Sequence, residues 1–432
     1  MFNPDMEGLP LEKLRKLQSE RLIALAHYVY ERVPFYRERF EQQGLHPSML
    51  RGIADIARLP ITYKTDLRDQ YPFGLSAVPE DQIRRIHASS GTTGKPTVVV
   101  YTAEDLELFA EVNARSLYAG GARPGMKMHN AYGYGLFTGG LGIHAGAERL
   151  GMAVVPVSGG MTDRQLMLLQ DFRPEVICCT PSYAQTLAEE VDKRGIGRGA
   201  LNLKFGVLGA EPWTETVRAD VEAGLGLVAT NIYGLSEIIG PGVAQEDWEE
   251  RGSGSYIWED HFFPEILDPD TCEPLPEGHD GVLVLTTLTK KGMPLLRYWT
   301  NDICSLSYDK GGKRTHIKMS AIKGRADDML IIRGVNLFPT QVEVLIRDIP
   351  ELEPHYQLVV SKKGALDRVD VRVEMGDTPL EITQLEGLRA HLMQKIRDNI
   401  GLHIDVELMP PGSIPRSEGG KLSRILDLRR NG

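Results

Sequence analysis

The chain has 432 residues, 42% hydrophobic and 25% charged, a balance that predicts a globular protein of two or three domains with large cores. A net charge of -10 argues against a general nucleic-acid binder, which needs a basic surface, but leaves room for a local phosphate pocket. The start, Met1-Phe2-Asn3-Pro4-Asp5, lacks the basic and apolar regions of a leader, and no apolar run is long enough for a bilayer. The expected setting is cytoplasmic. Cys178, Cys179, Cys272 and Cys304 form no C-x-x-C and read as buried or free thiols in a reducing compartment.

Residues 11–43 read as helices, with Leu11, Leu14, Leu17, Leu22, Leu25 and Val29 near helical spacing and a break at Pro34. Next comes His87-Ala88-Ser89-Ser90-Gly91-Thr92-Thr93-Gly94-Lys95-Pro96, a loop expected to join two strands. Its glycines allow close backbone approach, its hydroxyls donate, and its lysine supplies a movable charge, which is what phosphates require. It is not a Walker A loop: Ser89 replaces the first glycine and Pro96 follows the lysine. Taken alone it could be a flexible surface turn. Thr102, with Asp105 three residues on, predicts a capped helix over 103–119.

Short apolar runs then alternate with helical stretches. The runs are Met126–Tyr132, Met152–Val157, Val176–Thr180, Phe205–Ala210 and Val228–Tyr233; the helices are 162–171, 181–193 and 214–223. This alternation predicts an α/β fold with mostly parallel sheets covered by helices. Ligands bind such sheets at the carboxyl ends of strands, where Gly209-Ala210-Glu211-Pro212 and Asn231-Ile232-Tyr233-Gly234-Leu235-Ser236-Glu237 fall. Tyr233 could stack on a base and Glu237 could hold Mg²⁺ against phosphate oxygens. The pattern changes near residue 240, with turn-rich Gly252–His261 and an antiparallel-type strand at Gly281–Thr287, together a small β region. Asp302, at a strand end, could accept two ribose hydroxyls. Beyond the charged break at Arg325-Ala326-Asp327-Asp328, the tail reads strand–helix–strand–strand–helix–strand, a small α+β unit with helices at 339–348 and 379–399. Near its end, Pro415–Arg424 puts Lys421 on a glycine-rich segment.

In this order the clusters resemble the adenylate-forming superfamily of acyl-CoA synthetases, adenylation domains and luciferases, over residues 87 to 424. Within it, His87–Thr97, Tyr132–Gly140, Gly209–Trp213 and Tyr233–Ala244 are worded most like the phenylacetate–coenzyme A ligases. The resemblance implies a helical extension over 1–80, a large domain over 81–325, and a mobile α+β domain over 326–432 on a hinge at Asp327. It implies ATP, Mg²⁺ and coenzyme A as reactants and cofactor, a small aryl acid such as phenylacetate as substrate, AMP as product, and a homodimer. It places Ser89, Ser90, Gly91, Thr92, Thr93, Gly94 and Lys95 at the β- and γ-phosphates. Ala210, Glu211, Pro212, Asn231, Tyr233, Gly234 and Ser236 would line the nucleotide, with Asp302 on the ribose and Arg325 nearby. Glu237 would ligate Mg²⁺, and Lys421 would bind the attacking carboxylate and the α-phosphate. Tyr132, Phe137, Gly139, Ala210 and Ile232, with Glu211 and Pro212 beside them, would form the acyl pocket. Arg333-Gly334 would meet coenzyme A.

Physics supports those roles. Two like charges a few ångströms apart repel by several kcal/mol at a protein-like dielectric, of order 4 kcal/mol, and Mg²⁺ with Lys421 offsets this where charge develops. A lysine inside the site for one half-reaction and room for a thiol in the other require movement, hence the hinge. No charged residue near Gly159-Gly160-Met161 suits a second substrate charge, which favours a simple aryl acid. The alternatives are a ligase for another aryl acid, an adenylylating enzyme that does not use coenzyme A, and a non-catalytic nucleotide-binding module.

Overall fold

The computed structural model describes residues 1–89, 96–309, 311–326, 330–332, 335–337, 339–363, 366–377, 381–416 and 424–428. Ser90–Lys95, Asp327, Arg333-Gly334 and Lys421, all named above, lie outside the described residues, as does the side chain of Ser89. Among the described residues the chain forms two compact units: Met1–Ala210 with Asp220–Ala321, and Glu211–Ala219 with the residues from Ile322 onward.

The first unit opens with helices Leu11–Arg32 and Pro34–Gln42, broken at Val33 as the proline requires. Leu14, Leu22, Leu25 and Val29 are buried as their spacing predicts; Leu11, in the first turn, is exposed. The N-terminal region joins the body through polar contacts from Gln18, on the first of these helices, and from Glu7, just before it. Gln18 donates to the Glu259 carbonyl at 2.9 Å, and Arg314 pairs with Glu7 at 2.6 Å. Strand β1, Arg85–Ser89, runs antiparallel to β2, Thr97–Tyr101, so the glycine-rich loop does connect two strands. The helix Ala103–Ala119 follows, with Thr102 accepting from the Asp105 amide and Asp105 from the Thr102 amide, the capping box read from sequence.

Strands β3 (Lys127–Asn130), β4 (Ala153–Val155), β5 (Val176–Cys179), β6 (Phe205–Gly209) and β7 (Val228–Leu235) are parallel, in the order β4-β3-β5-β6-β7. The sheet then changes direction. β8 (Gly240–Glu246) and β9 (Ser255–Ile257) extend it antiparallel, so the turn-rich stretch after Gly252 contains a strand. A separate antiparallel set holds β10 (Phe262–Leu267), β11 (Gly281–Thr287) and β12 (Tyr298–Cys304). β11 matches its expected bounds because a buried apolar run between turn signals is a local property.

One face of the parallel strands packs Met128, Val176, Cys178, Val207 and Ile232 against Ala114 and Leu117, and against Ile143, Ala147 and Leu150 of helix Gly139–Leu150. The two helices approach closely because two glycines four apart face the neighbour. A Cβ at Gly142 would overlap the Phe109 ring, and one at Gly146 would lie 2.7 Å from the Asn113 carbonyl carbon. Gly146→Val is expected to overpack this contact and cost about 1–3 kcal/mol, read as a lower Tm. An unchanged Tm would show that the helices separate freely.

In the second unit, Leu352–Lys363 and Leu366–Met375 form a hairpin. Ile425–Asp427 pairs parallel with the first and Asp405–Met409 parallel with the second. Helices Pro339–Arg347 and Ile382–Ile400 cover a core of Val342, Ile346, Leu358, Val360, Val371, Leu392 and Ile396. The tail begins with the expected strand, Leu330–Ile332, but carries two more than its sequence suggests, Val335–Leu337, which pairs with that first strand, and Ile425–Asp427 at its end. All are three residues long, too short to show a period.

Candidate active site

The site grows from the end of β7, where the sheet turns from parallel to antiparallel. Tyr233 reaches across to β12 and donates to Asp302 Oδ2 at 2.6 Å. Burial, with the Asp302 carboxylate beside it, pushes the Tyr233 phenol well above its ordinary value, so it stays a neutral donor. Three non-glycine residues, Ala210 just after β6 and Arg297 and Asn301 shortly before Asp302, have left-handed backbones, at φ 75°, 42° and 66°. Such strain is usual at ligand sites. The Asn301 side chain steadies its own turn by accepting from Trp299 Nε1 at 2.8 Å. Arg297, in the same cluster, is a structural residue. It pairs with buried Glu265 at 2.9 Å and donates to the carbonyls of Ala57 and Leu59 at 3.0 Å, fastening the N-terminal region to β12.

Glu237 follows β7 and is 5% exposed. Its carboxylate faces the Lys64 ammonium, with Nζ 3.3 Å from Oε1. Below the turn, Lys290 Nζ donates to the Glu237 carbonyl at 3.2 Å and sits 5.0 Å from the centre of the Tyr101 ring. Burial lowers the Lys290 amine to about 8, against the opposite pull of Asp105 and Glu237.

The segment 132–140, named above for the acyl pocket, is held at both ends. Asn130, at the tip of β3, donates to Tyr134 Oη at 2.8 Å and to the Gly140 carbonyl at 2.9 Å. Tyr134 also hydrogen-bonds His144 Nδ1 at 3.0 Å, and burial pushes its phenol up to about 12. Thr138 Oγ1 lies 3.1 Å from Ser236 Oγ, which joins this segment to the β7 turn. His87 Nδ1 lies 3.0 Å from the Leu136 carbonyl, and the Ala88 amide donates to the same oxygen at 2.9 Å. The root of the glycine-rich loop is therefore tied to the acyl segment. Burial lowers the His87 imidazole, which favours its neutral form.

The fold thus gathers Tyr233, Ser236, Glu237 and Asp302 with the 132–140 segment. Tyr132 and Ile232 share one apolar cluster, and a Cβ on Gly139 would sit 3.7 Å from the Tyr132 ring. Phe137 is 53% exposed. The Asn231 amide donates to Glu246 at 3.0 Å. Gly234 lies so close to Gly240 that a Cβ would overlap its carbonyl. Glu211 and Pro212, the first residues after Ala210, and Arg325 belong to the second unit. In that unit the segments flanking Lys421 are anchored, Arg416 by a 2.8 Å pair with buried Glu374 and Arg424 over the Tyr356 ring at 4.6 Å. Sequence reasoning passed over Lys64, Tyr101 and Lys290. Each stands in a segment with no motif of its own, and only the folded chain brings them to Glu237. No helix of the described residues is long and apolar enough to cross a membrane.

The family model of the AMP-binding enzymes matches residues 13–289, and that of the AMP-binding enzyme C-terminal domain matches residues 334–429. The chain is 62% identical to the phenylacetate-coenzyme A ligase of Thermus thermophilus, covering all of both sequences. It is 49% identical to that of Escherichia coli (strain K12), over 98% of this chain and 97% of the relative. Among solved structures, 2-hydroxyisobutyryl-CoA ligase in the postadenylation state, in complex with R3-HIB-AMP, superposes with a TM-score of 0.92 at 28% identity, over 99% of this chain and 92% of that one. An end-to-end match at 62% leaves no part of either chain unaccounted for, and the chain belongs to the phenylacetate–coenzyme A ligases of the AMP-binding enzyme family.

Proposed function

We propose that the chain is an acid–thiol ligase that uses ATP to convert phenylacetate into phenylacetyl-coenzyme A, AMP and pyrophosphate. The observation that carries this reading is the end-to-end identity of 62% to a relative of that activity. In the first half-reaction a carboxylate oxygen bonds to the α-phosphorus of ATP and pyrophosphate leaves. In the second, the thiol sulfur of coenzyme A bonds to the acyl carbon, and AMP leaves with the electron pair of the broken C–O bond.

The residues take the following parts. Tyr233 lies beside adenine, and Ala210, Glu211, Pro212, Asn231, Gly234 and Ser236 line the nucleotide. Asp302 accepts the ribose hydroxyls, exchanging its contact with Tyr233 for them, with Arg325 nearby. Ser89–Lys95 hold the β- and γ-phosphates. Lys421 brings the carboxylate and the α-phosphate together, Asp327 is the hinge, and Arg333-Gly334 meet coenzyme A. The domains divide at residues 80 and 325. Tyr132, Phe137, Gly139, Ala210 and Ile232 bound the aryl group, and glycine at 139 keeps space for a ring.

Mg²⁺ suits Glu237, a hard oxygen donor whose charge a cation, Lys64, already balances at 3.3 Å. Magnesium bound with a nucleotide commonly uses one or two carboxylates and the phosphates, without a cage of protein ligands. When bound, it neutralises phosphate charge during transfer. The protein is read as a cytoplasmic homodimer, which sedimentation would test.

Asp302→Ala is expected to raise KM for ATP by about 10- to 100-fold, the worth of hydrogen bonds to a charged group, with KM for the acid little changed. A rise in the acid KM alone would move Asp302 out of the ribose site. The reading as a whole is tested by pyrophosphate release across a panel of aryl acids, with and without coenzyme A. Release with phenylacetate and thioester formation on adding coenzyme A are expected. Preference for another aryl acid would change the pocket assignment. Release without a thioester would favour an adenylylating enzyme, and no release with any acid would reject the ligase.

A further inference from the structure

The turn that carries Glu237 is fastened from beneath by two buried donors that come from other elements. Lys290 Nζ donates to the Glu237 carbonyl at 3.2 Å, and Tyr101 Oη donates to the Ile239 carbonyl at 2.9 Å. Lys290 is 1% exposed, and Tyr101 is fully buried, stacked on Phe109 at 5.6 Å. Packing alone gives no reason for an ammonium here. An aliphatic side chain would fill the space without the cost of taking a charge out of water. Among the described residues Lys290 has no carboxylate within ion-pair distance, so beside the Tyr101 ring at 5.0 Å its hydrogen-bond contact is the carbonyl of Glu237.

The support behind Lys290 is equally specific. The Asp105 carboxylate accepts from the amides of Lys291 and Gly292 at 2.7 Å each, while also closing the capping box at Thr102. Helix Ala103–Ala119 thereby fixes the backbone of 291–292, and this backbone aims Lys290 at the turn. The chain of contacts runs from helix start to Asp105, to Lys290, to the main chain of Glu237. Groups that orient a metal ligand in this way commonly set the affinity of the site.

We infer that Lys290 is a positioning residue for the metal-binding carboxylate: it holds the main chain at Glu237, with Tyr101 holding Ile239 beside it, so that the Glu237 side chain is presented to the cation. This rests on the reading of Glu237 as the Mg²⁺ ligand.

The test compares the parent protein with Glu237→Gln, Lys290→Met, Lys290→Gln and Tyr101→Phe. Calorimetry measures ATP binding with and without Mg²⁺, in the absence of acid and coenzyme A, and the melting temperature of each variant is recorded. Glu237→Gln is expected to lose most of the Mg²⁺-dependent gain in ATP affinity. Lys290→Met is expected to lose about 10- to 100-fold of that gain, with Mg²⁺-free ATP binding unchanged. Lys290→Gln, whose amide can still donate to a carbonyl, should recover most of it. Parent-like Mg²⁺ dependence in Lys290→Met would overturn the inference while leaving Glu237 in place. So would an equal loss of ATP binding with and without the metal, or no recovery in Lys290→Gln. Parent-like dependence in Glu237→Gln would overturn the metal assignment itself. Should Lys290→Met fail to fold, Tyr101→Phe decides: a weakened Mg²⁺ gain supports the inference and an unchanged one overturns it.

Discussion

Lys421→Ala is expected to slow formation of the acyl adenylate by about 10²–10³, while thioester formation from preformed adenylate stays near the parent rate. The first half-reaction brings an anionic carboxylate against an anionic triphosphate, and the proposed place of Lys421 is where that charge concentrates. The second half-reaction starts from a mixed anhydride, and its nucleophile is a thiol. A charge acting only in the first step should leave the second untouched. Single-turnover pyrophosphate release measures the first rate, and synthetic phenylacetyl adenylate with coenzyme A measures the second. Equal losses in both would place Lys421 in folding or nucleotide binding instead.

Asp260→Ala is expected to destabilise the protein by about 1–3 kcal/mol, because it takes one of two carboxylates from a buried guanidinium and leaves Arg115 with Glu111 alone. Arg115, on helix Ala103–Ala119, makes a two-pronged contact with Asp260 at 2.9 and 3.0 Å, and both side chains are 1% exposed. Asp260 lies just before β10, so the pair couples the helix on the parallel sheet to the antiparallel set. His261 Nε2 lies 3.2 Å from the same carboxylate. Burial alone would raise the Asp260 carboxyl, but His261 and Arg115 outweigh it and hold the group well below the usual carboxylate range. A depressed folded value stabilises above the unfolded pKa of about 3.9 and is lost as the pH falls through the folded value. Denaturant unfolding should therefore show a constant gap between parent and variant from pH 7 down to about pH 4, narrowing only below that as the pH falls toward the folded value. A gap independent of pH would mean that packing, not charge, makes the difference.

Much of the scaffold was legible residue by residue. The cap at Thr102 with Asp105, the break at Pro34 and strand Gly281–Thr287 depend on neighbours within a few positions, which a sequence displays directly. The separation of Tyr233 from Asp302 by 69 residues hides their contact, yet both were named, since each stands at a strand end in a recognisable motif. Arg297 stands only five residues before Asp302, but the structure gives it to an ion pair with Glu265 that holds the N-terminal region to β12. A charged residue in a motif cannot announce whether it faces a ligand or a buried partner.

The sequence by itself determined the alternation of strands and helices that makes the fold α/β and the family wording of the loops, and it supplied the side chains proposed for nucleotide, metal and acid. Local periods, caps and motifs carry that information. Only the tertiary structure decided that the sheet reverses direction after β7 and that Lys64 balances Glu237. It alone showed that Lys290, 53 residues away along the chain, supports that turn from below. An ion pair or a buried hydrogen bond is a condition on distance in space, and it leaves no period or spacing in the chain that forms it.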